Sequence, residues 1–211
     1  MNMIVYYLVT LIESVLGVFG IRGLYEQPDY TIVQRLDRGV EIRAYAPRPA
    51  VETDTRGQGD GEAFGRLFRY ITGANRDGGR IAMTAPVETG GQRIAMTVPV
   101  ETVPVETVPV ETGAGSVMRF FLPRTVAAAG APEPTEAGVR LVQVPAERLA
   151  VLRFSGRMTP EVRAQQEAIL RAAISAAGLT ASGPTLFMGY DPPFAIPFLR
   201  RNEVAVRLAP A

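Results

Sequence analysis

The chain contains no cysteine and no histidine. Without cysteine there can be no disulfide, no thiolate metal site and no thiol nucleophile. Without histidine the commonest general base, the commonest metal ligand and the commonest haem-iron ligand are all missing. Lysine is absent too, so the 22 basic residues are all arginine, set against 21 acidic residues for a net charge of +1. That balance gives no electrostatic reason to expect a nucleic-acid partner. The glycine-rich run Gly57–Gly61 (GQGDG) lacks the Lys-Ser/Thr of a phosphate-binding loop. Any chemistry must therefore come from Tyr, Asp, Glu, Arg, Met, Ser or Thr.

What is present is 211 residues, 47% of them hydrophobic, enough for one globular domain with an appendage. The appendage is the N-terminus. Met1–Gly20 (MNMIVYYLVTLIESVLGVFG) is mostly apolar and carries Glu13 as its only charge. A bilayer span needs about 20 apolar residues, so this run barely qualifies. No basic residue precedes Arg22, as a secretory leader would normally require. Three readings stand: a membrane anchor or interfacial helix, an atypical signal peptide, or a helix docking on the protein itself or on a partner. Residues 1–28 are accordingly expected to form an apolar anchor or docking segment, with a membrane-associated protein as the consequence. Which side of the membrane it faces, periplasmic or cytoplasmic, is left open.

A local duplication marks the middle of the chain. Arg80–Thr89 reads RIAMTAPVET, Arg93–Thr102 reads RIAMTVPVET, and VPVET recurs at Val103–Thr107 and Val108–Thr112. The period is too short, and the copies too few, for a solenoid. One copy of RIAMTxPV suffices for a strand. The remainder is expected as a repeat insertion over 86–112, bulging out as an extended hairpin or loop, because Pro86, Pro99, Pro104 and Pro109 suit edges and turns.

The rest reads as two similar halves. Tyr30–Leu36 and Val40–Tyr45 alternate apolar and polar around Asp37-Arg38-Gly39, a hairpin with Gly39 in the position needing positive φ. Ala50–Thr55 is a short strand. Asp60 is a candidate N-cap for a helix whose apolar face is Phe64, Leu67, Phe68 and Ile71, closed by Gly73. Val117–Leu122 follows the repeats as a strand, and Ala127–Gly138 reads as a loop. In the second half Val139–Val144 and Leu149–Phe154 are paired strands. Thr159 and Pro160 open a helix running to about Ala177, with Val162, Ile169, Ala173 and Ile174 inward and Gly178 at its end. Thr185–Tyr190 and Glu203–Leu208 are further strands. The order strand, strand, helix, strand, strand in both halves implies an α+β domain, with curved sheets around a core and two helices packed outside.

The densest chemistry lies near the C-terminus: Tyr190-Asp191-Pro192-Pro193, an apolar loop, then Arg200-Arg201-Asn202-Glu203-Val204. Paired arginines beside aromatics can hold a carboxylate at the rim of an apolar pocket. Alternatively, Asn202 and Glu203 tie down the loop and the arginines are solvated.

YDPP…RRNEV, FRYITGAN at Phe68–Asn75 and RIAMTAPV together resemble the SOUL haem-binding protein family over roughly Tyr30–Leu208. The resemblance implies that residues 29–211 form a pseudo-two-fold symmetric, distorted β-barrel with two helices, akin to effector-binding domains. It also implies non-covalent binding of haem or another tetrapyrrole. Carried over by motif, Leu67, Phe68, Arg69 and Ile71 on the first helix and Tyr190, Arg200 and Arg201 near the C-terminus would hold the ligand. An apolar slot suits the macrocycle and arginines suit its propionates. Some members ligate iron through histidine. Here only Tyr70, Met83, Met96 or Tyr190 could do so, and metal-indifferent binding is the other option. At helical spacing, Phe64, Leu67, Phe68 and Ile71 suit a core face equally well, and Met83 and Met96 suit packing. Two further functions are open. One is an accessory subunit docked on a membrane complex through residues 1–28 and the repeats. The other is an effector-domain-type hydrolase using Tyr190 with Glu41 or Glu203.

Overall fold

The computed structural model describes residues 26–55, 59–92, 116–191 and 195–209. The apolar leader up to residue 25, the second RIAMT copy with Met96, and the VPVET copies lie outside the described residues.

Nine strands form a single antiparallel sheet: β1 (Tyr30–Arg35), β2 (Val40–Tyr45), β3 (Arg48–Asp54), β4 (Val87–Gln92), β5 (Ser116–Phe121), β6 (Val139–Val144), β7 (Glu147–Phe154), β8 (Ala181–Gly189) and β9 (Asn202–Leu208). Helix α1 (Gly59–Thr72) joins β3 to β4, and α3 (Pro160–Ala176) joins β7 to β8. A short helix, α2 (Arg124–Ala129), sits where the sequence suggested the start of a loop.

The strand order is β1-β2-β7-β9-β8-β4-β5-β3-β6. Leaving β1 aside, the order is unchanged when β2, β3, β4 and β5 are exchanged for β6, β7, β8 and β9. The pseudo-two-fold therefore passes between β4 and β8, where Glu88 faces Met188. The halves are intertwined, because the first strand of each pairs with the second strand of the other: β2 with β7, and β6 with β3. The curled, half-barrel α+β sheet is the one the two-half pattern implied.

Several boundaries shift for identifiable reasons. Arg80–Pro86 of the first repeat copy forms no strand, and β4 is instead the VETGGQ that follows. Val87–Gln92, within the span anticipated as an insertion, is thus part of the sheet, and residues 93–112 of that span lie outside the described residues. Asp60 lies inside the first turn of α1 rather than capping it. Thr159 does cap α3, its Oγ1 accepting from the Val162 amide at 3.4 Å, with Pro160 next. The Asp37–Gly39 turn has φ +58 at Arg38 and +74 at Gly39, the left-handed geometry that favours glycine.

The sheet has two covered faces. On the outer face α1 packs Ala63, Leu67, Tyr70 and Ile71 onto Val51, Met118, Phe120 and Val139. There α3 packs Leu170, Ala173 and Ile174 onto Val40, Ile42, Ala150, Val204 and Val206. Each large side chain so buried contributes about 1.5–3 kcal/mol. The alternate residues of the same strands point to the inner, concave face. There Tyr45, Leu149, Val151, Leu186, Met188, Tyr190 and Ala205 form one apolar cluster, and Ala50, Phe121, Val142 and Val144 another. With both faces covered, β9 is buried at every position from Asn202 to Val206, which hides the alternation expected of a half-exposed strand.

Candidate functional site

The recognisable sequence motifs turn out to be local closures of the chain. In FRYITGAN, the Asn75 amide donates to the carbonyls of Tyr70 and Gly79 at 2.9 and 2.8 Å, closing the turn after α1. In RIAMTAPV, the Ile81 amide bonds back to Ile71, and Thr84 Oγ1 donates to the Phe121 carbonyl. In YDPP…RRNEV, the Asp191 carboxylate accepts from the Arg201 amide at 2.6 Å, and Asn202 donates to the Gly156 carbonyl at 2.9 Å.

That last motif also builds the central charge cluster of the inner face. Glu203 is fully buried on β9. One of its oxygens accepts from the Tyr190 phenol at 2.7 Å and from Arg43 at 2.9 Å; the other accepts from Arg201 at 2.7 and 3.0 Å. The Arg201 guanidinium lies 3.9 Å from the centre of the Tyr190 ring. Burial pushes the Glu203 carboxyl up, but Arg43 and then Arg201 outweigh it and hold the group below the usual carboxylate range. Burial, reinforced by the Glu203 charge, raises the Tyr190 phenol well above its ordinary value, and Arg201 offsets this only in part.

The pair is poorly suited to nucleophilic chemistry. A base must take a proton, and Glu203 is stabilised as the anion by two guanidinium groups. Tyr190 keeps its proton. The space left beside its ring, among Gln27, Pro28, Tyr30, Tyr45, Arg48, Pro86 and Met188, is only about 10 Å³.

Across the pseudo-two-fold, a ladder of opposite charges crosses four adjacent strands. Glu88 on β4 faces Arg119 on β5, Arg119 faces Glu52 on β3, and Glu52 faces Arg140 on β6. Arg119 is fully buried and donates to Glu52 at 2.6 Å and to Glu88 at 2.8 Å. It occupies the position equivalent to Glu203, so the two halves place opposite charges at matching points. Arg43, Glu52, Glu88 and Arg119 were missed by sequence reasoning. The signal was the alternation of β2, β3, β4 and β5, which puts Arg43, Glu52, Glu88 and Arg119 on the face opposite Ile42, Val51, Val87 and Phe120.

The seven positions carried over by motif are not brought together. Leu67 and Ile71 are buried in the core under α1. The buried stripe of the helix is rotated by one residue from the expected one, so Phe68 is 43% exposed and stacks on Phe64 with ring centres 5.9 Å apart. Arg69 is exposed and pairs with Glu136. Tyr190 and Arg201 belong to the inner face, on the other side of the sheet from α1. Arg200 donates to the Ala195 carbonyl at 2.9 Å in the loop before β9.

Of the candidate iron ligands, Tyr70 is buried with its phenol on the Pro132 carbonyl at 2.9 Å, and burial, then Glu133 and Asp77, push it up to about 12. Met83 packs against the α1 core cluster, and Tyr190 is committed to Glu203. Among the described residues no acidic cluster could hold a metal ion, and no helix is long and apolar enough to cross a membrane.

A cavity of about 200 Å³ opens on the inner face between residues 26–29, 46–49, Thr84, Phe121, Leu122 and Arg124. Ligand pockets for drug-sized molecules run about 300–1,000 Å³, so a macrocycle cannot be enclosed here.

The family model described as SOUL heme-binding protein matches residues 25–207. No curated protein matches in sequence. A hydrolase from Listeria innocua shares the fold at 13% identity and a TM-score of 0.51, over 82% of this chain and 93% of that one. EcmrR, solved in a DNA complex, shares it at 8% identity and a TM-score of 0.52, over 99% of this chain and 64% of that one. At these identities the likeness is one of fold.

Proposed function

The chain belongs to the SOUL heme-binding protein family, and on that basis we propose that it binds haem or another tetrapyrrole non-covalently, on the outer face of α1. The observation that supports this location is the stacked aromatic pair Phe64–Phe68, with Phe68 exposed. A stacked aromatic surface suits a flat macrocycle. Arg69 stands next to it, in a two-point surface ion pair with Glu136 that a propionate can replace. Arg201, by contrast, lies on the other face of the sheet, where it pairs with Glu203.

The residues fit the ring and its carboxylates but not its iron. With no histidine or cysteine in the chain and the described tyrosines at Tyr70 and Tyr190 already engaged, affinity should not depend on the metal. Association with a membrane, or docking on a membrane complex through residues 1–28, is a further part of the proposal and rests on the apolar run Met1–Gly20 alone.

The test is a titration of the full chain with haemin and with metal-free protoporphyrin, followed by absorbance and fluorescence quenching. Saturable one-to-one binding of both, weakened at least tenfold by Phe68→Ser, is the expected result. Unchanged affinity in Phe68→Ser overturns the α1 location. Absence of saturable binding to either ring overturns the tetrapyrrole reading.

A further inference from the structure

Residues 26–29 belong to no strand or helix, yet they lie across the inner face of the sheet. They are held at few points. The Glu26 carbonyl accepts from the Ala85 amide at 3.1 Å, and its carboxylate accepts from the Arg124 amide at 2.9 Å. Asp29 pairs with Arg124 where both are exposed, a kind of ion pair that contributes little. Between these anchors Gln27 and Pro28 enter a ready-made pocket. Its walls are Tyr30, Tyr45, Pro86, Met188 and Tyr190, with Arg48 at one end. The Gln27 side-chain oxygen accepts from Arg201 at 3.2 Å. Only about 10 Å³ remains beside the pair, roughly the space of one water.

We propose that Gln27–Pro28 is an internal occupant of a binding site on the inner face, and that its displacement admits a small carboxylate carrying a flat apolar body. The segment shows what the site takes: an apolar ring among tyrosines and an oxygen acceptor on a guanidinium group. The charge balance shows why a carboxylate is preferred to the amide now there. Among the described residues on this face, Arg43, Arg48, Arg201 and Arg207 share Glu41, Glu147 and Glu203. Arg48 is buried against the rings of Tyr45 and Phe121, 4.2 and 4.5 Å from their centres, and among the described residues its Nε has no hydrogen-bond partner. A buried unpaired donor is costly, and an anion entering beside it relieves that cost. The neighbouring cavity of about 200 Å³ shares Gln27, Pro28 and Arg48 with the pocket. It offers about 200 Å³ for the body of the ligand. The site lies on the opposite face of the sheet from α1 and does not depend on the tetrapyrrole reading.

The probe is 2-naphthoate, with the neutral 2-naphthamide as its isostere, titrated into the full chain. The Gln27→Ala/Pro28→Gly variant is expected to bind 2-naphthoate at least tenfold more tightly than the wild-type chain, and the carboxylate at least tenfold more tightly than the amide. In the wild-type chain, saturation with 2-naphthoate should speed hydrogen exchange at the Ala85 and Arg124 amides, whose acceptors lie on Glu26. A cooperatively folded variant with no gain in affinity overturns the proposal. So does wild-type exchange at those two amides that is unchanged or slowed by millimolar 2-naphthoate, a readout that holds even if the variant fails to fold.

Discussion

Tyr190 donates its phenol to the Glu203 oxygen that also accepts from Arg43, at 2.7 and 2.9 Å, so a neutral and a cationic donor share one buried carboxylate atom. Their removal should not be equivalent. Glu203→Gln leaves Arg43 and Arg201 as underpaired buried charges and is expected to destabilise by about 3–5 kcal/mol. Tyr190→Phe removes one donor from an anion that keeps both guanidinium groups, and should cost about 1–3 kcal/mol. Urea midpoints of the two variants measure the difference, and equal losses would show that the charge is not what matters.

The same pair sets the pH dependence. The folded-state carboxyl of Glu203 is depressed despite its burial, because Arg43 and Arg201 favour the anion. Its stabilisation is therefore present above the unfolded value of about 4.3 and lost as pH falls through the folded value. The Tyr190 phenol is raised by burial and by the Glu203 charge. Its stabilisation is complete below about 10 and lost as pH rises further. Unfolding free energy measured across pH should fall at both ends. Tyr190→Phe should flatten the alkaline limb in part, since Tyr45 and Tyr70 still titrate there, and touch the acid limb only through the hydrogen bond lost to Glu203; a Tyr190→Phe profile parallel to wild type at high pH would sink the assignment.

Gly90 sits at the irregularity in the β4–β5 register, at φ +90, with the Thr185 carbonyl against the place a Cβ would fill. Because that carbonyl belongs to β8, the close approach joins the two halves at the pseudo-two-fold. Gly90→Ala must move backbone on both strands and is expected to cost about 3 kcal/mol or more. Gly178→Ala, at φ +67 but with open space around it, should cost only about 1 kcal/mol. Thermal melts of the two variants give the comparison, and similar losses would mean that β4 and β8 can separate without penalty.

How far the fold could be read followed from where the chain repeats a simple physical pattern. Thr159-Pro160 and Gly39 each act within a few residues, so they were legible; on α3 the apolar spacing found Ala173 and Ile174 but missed the fully buried Leu170 and took Val162 as inward, which is not in the core. The strand at Val87–Gln92 was not, because it contains adjacent glycines and its place is set by pairing with Phe187–Gly189 a hundred residues away. The candidate site suffered most. Phe64, Leu67, Phe68 and Ile71 are apolar alike, and only packing against Val51 and Phe120 decides that Leu67 goes in and Phe68 stays out. Arg119 gave no local hint of burial, since its partners Glu52 and Glu88 arrive on other strands.

Leu67 and Phe68 should consequently separate stability from binding. Leu67→Ala removes a fully buried side chain and is expected to cost about 2–5 kcal/mol, with the ligand surface of α1 left in place. Phe68→Ser alters an exposed ring and should change the urea midpoint little while weakening tetrapyrrole binding. A Phe68→Ser protein as unstable as Leu67→Ala would make Phe68 a core residue after all.

The Glu88–Arg119–Glu52–Arg140 ladder gives the last test, because its energetics depend on completeness. Burying charge is expensive, and the ladder offsets this only while each group faces its opposite on the next strand. Arg119→Met strands Glu88 as a buried anion, leaves Glu52 with Arg140 alone, and should destabilise by about 3–5 kcal/mol. Adding Glu52→Leu and Glu88→Leu removes both anions and leaves Arg140, which is partly exposed, to solvent. The triple variant should regain most of the loss, since replacing a buried ionic set by apolar groups is often neutral or better. Chemical denaturation of the single and triple variants decides between two roles. Recovery means that the ladder specifies strand pairing without adding stability. A further loss in the triple variant would mean that the ladder itself holds the second half of the sheet together.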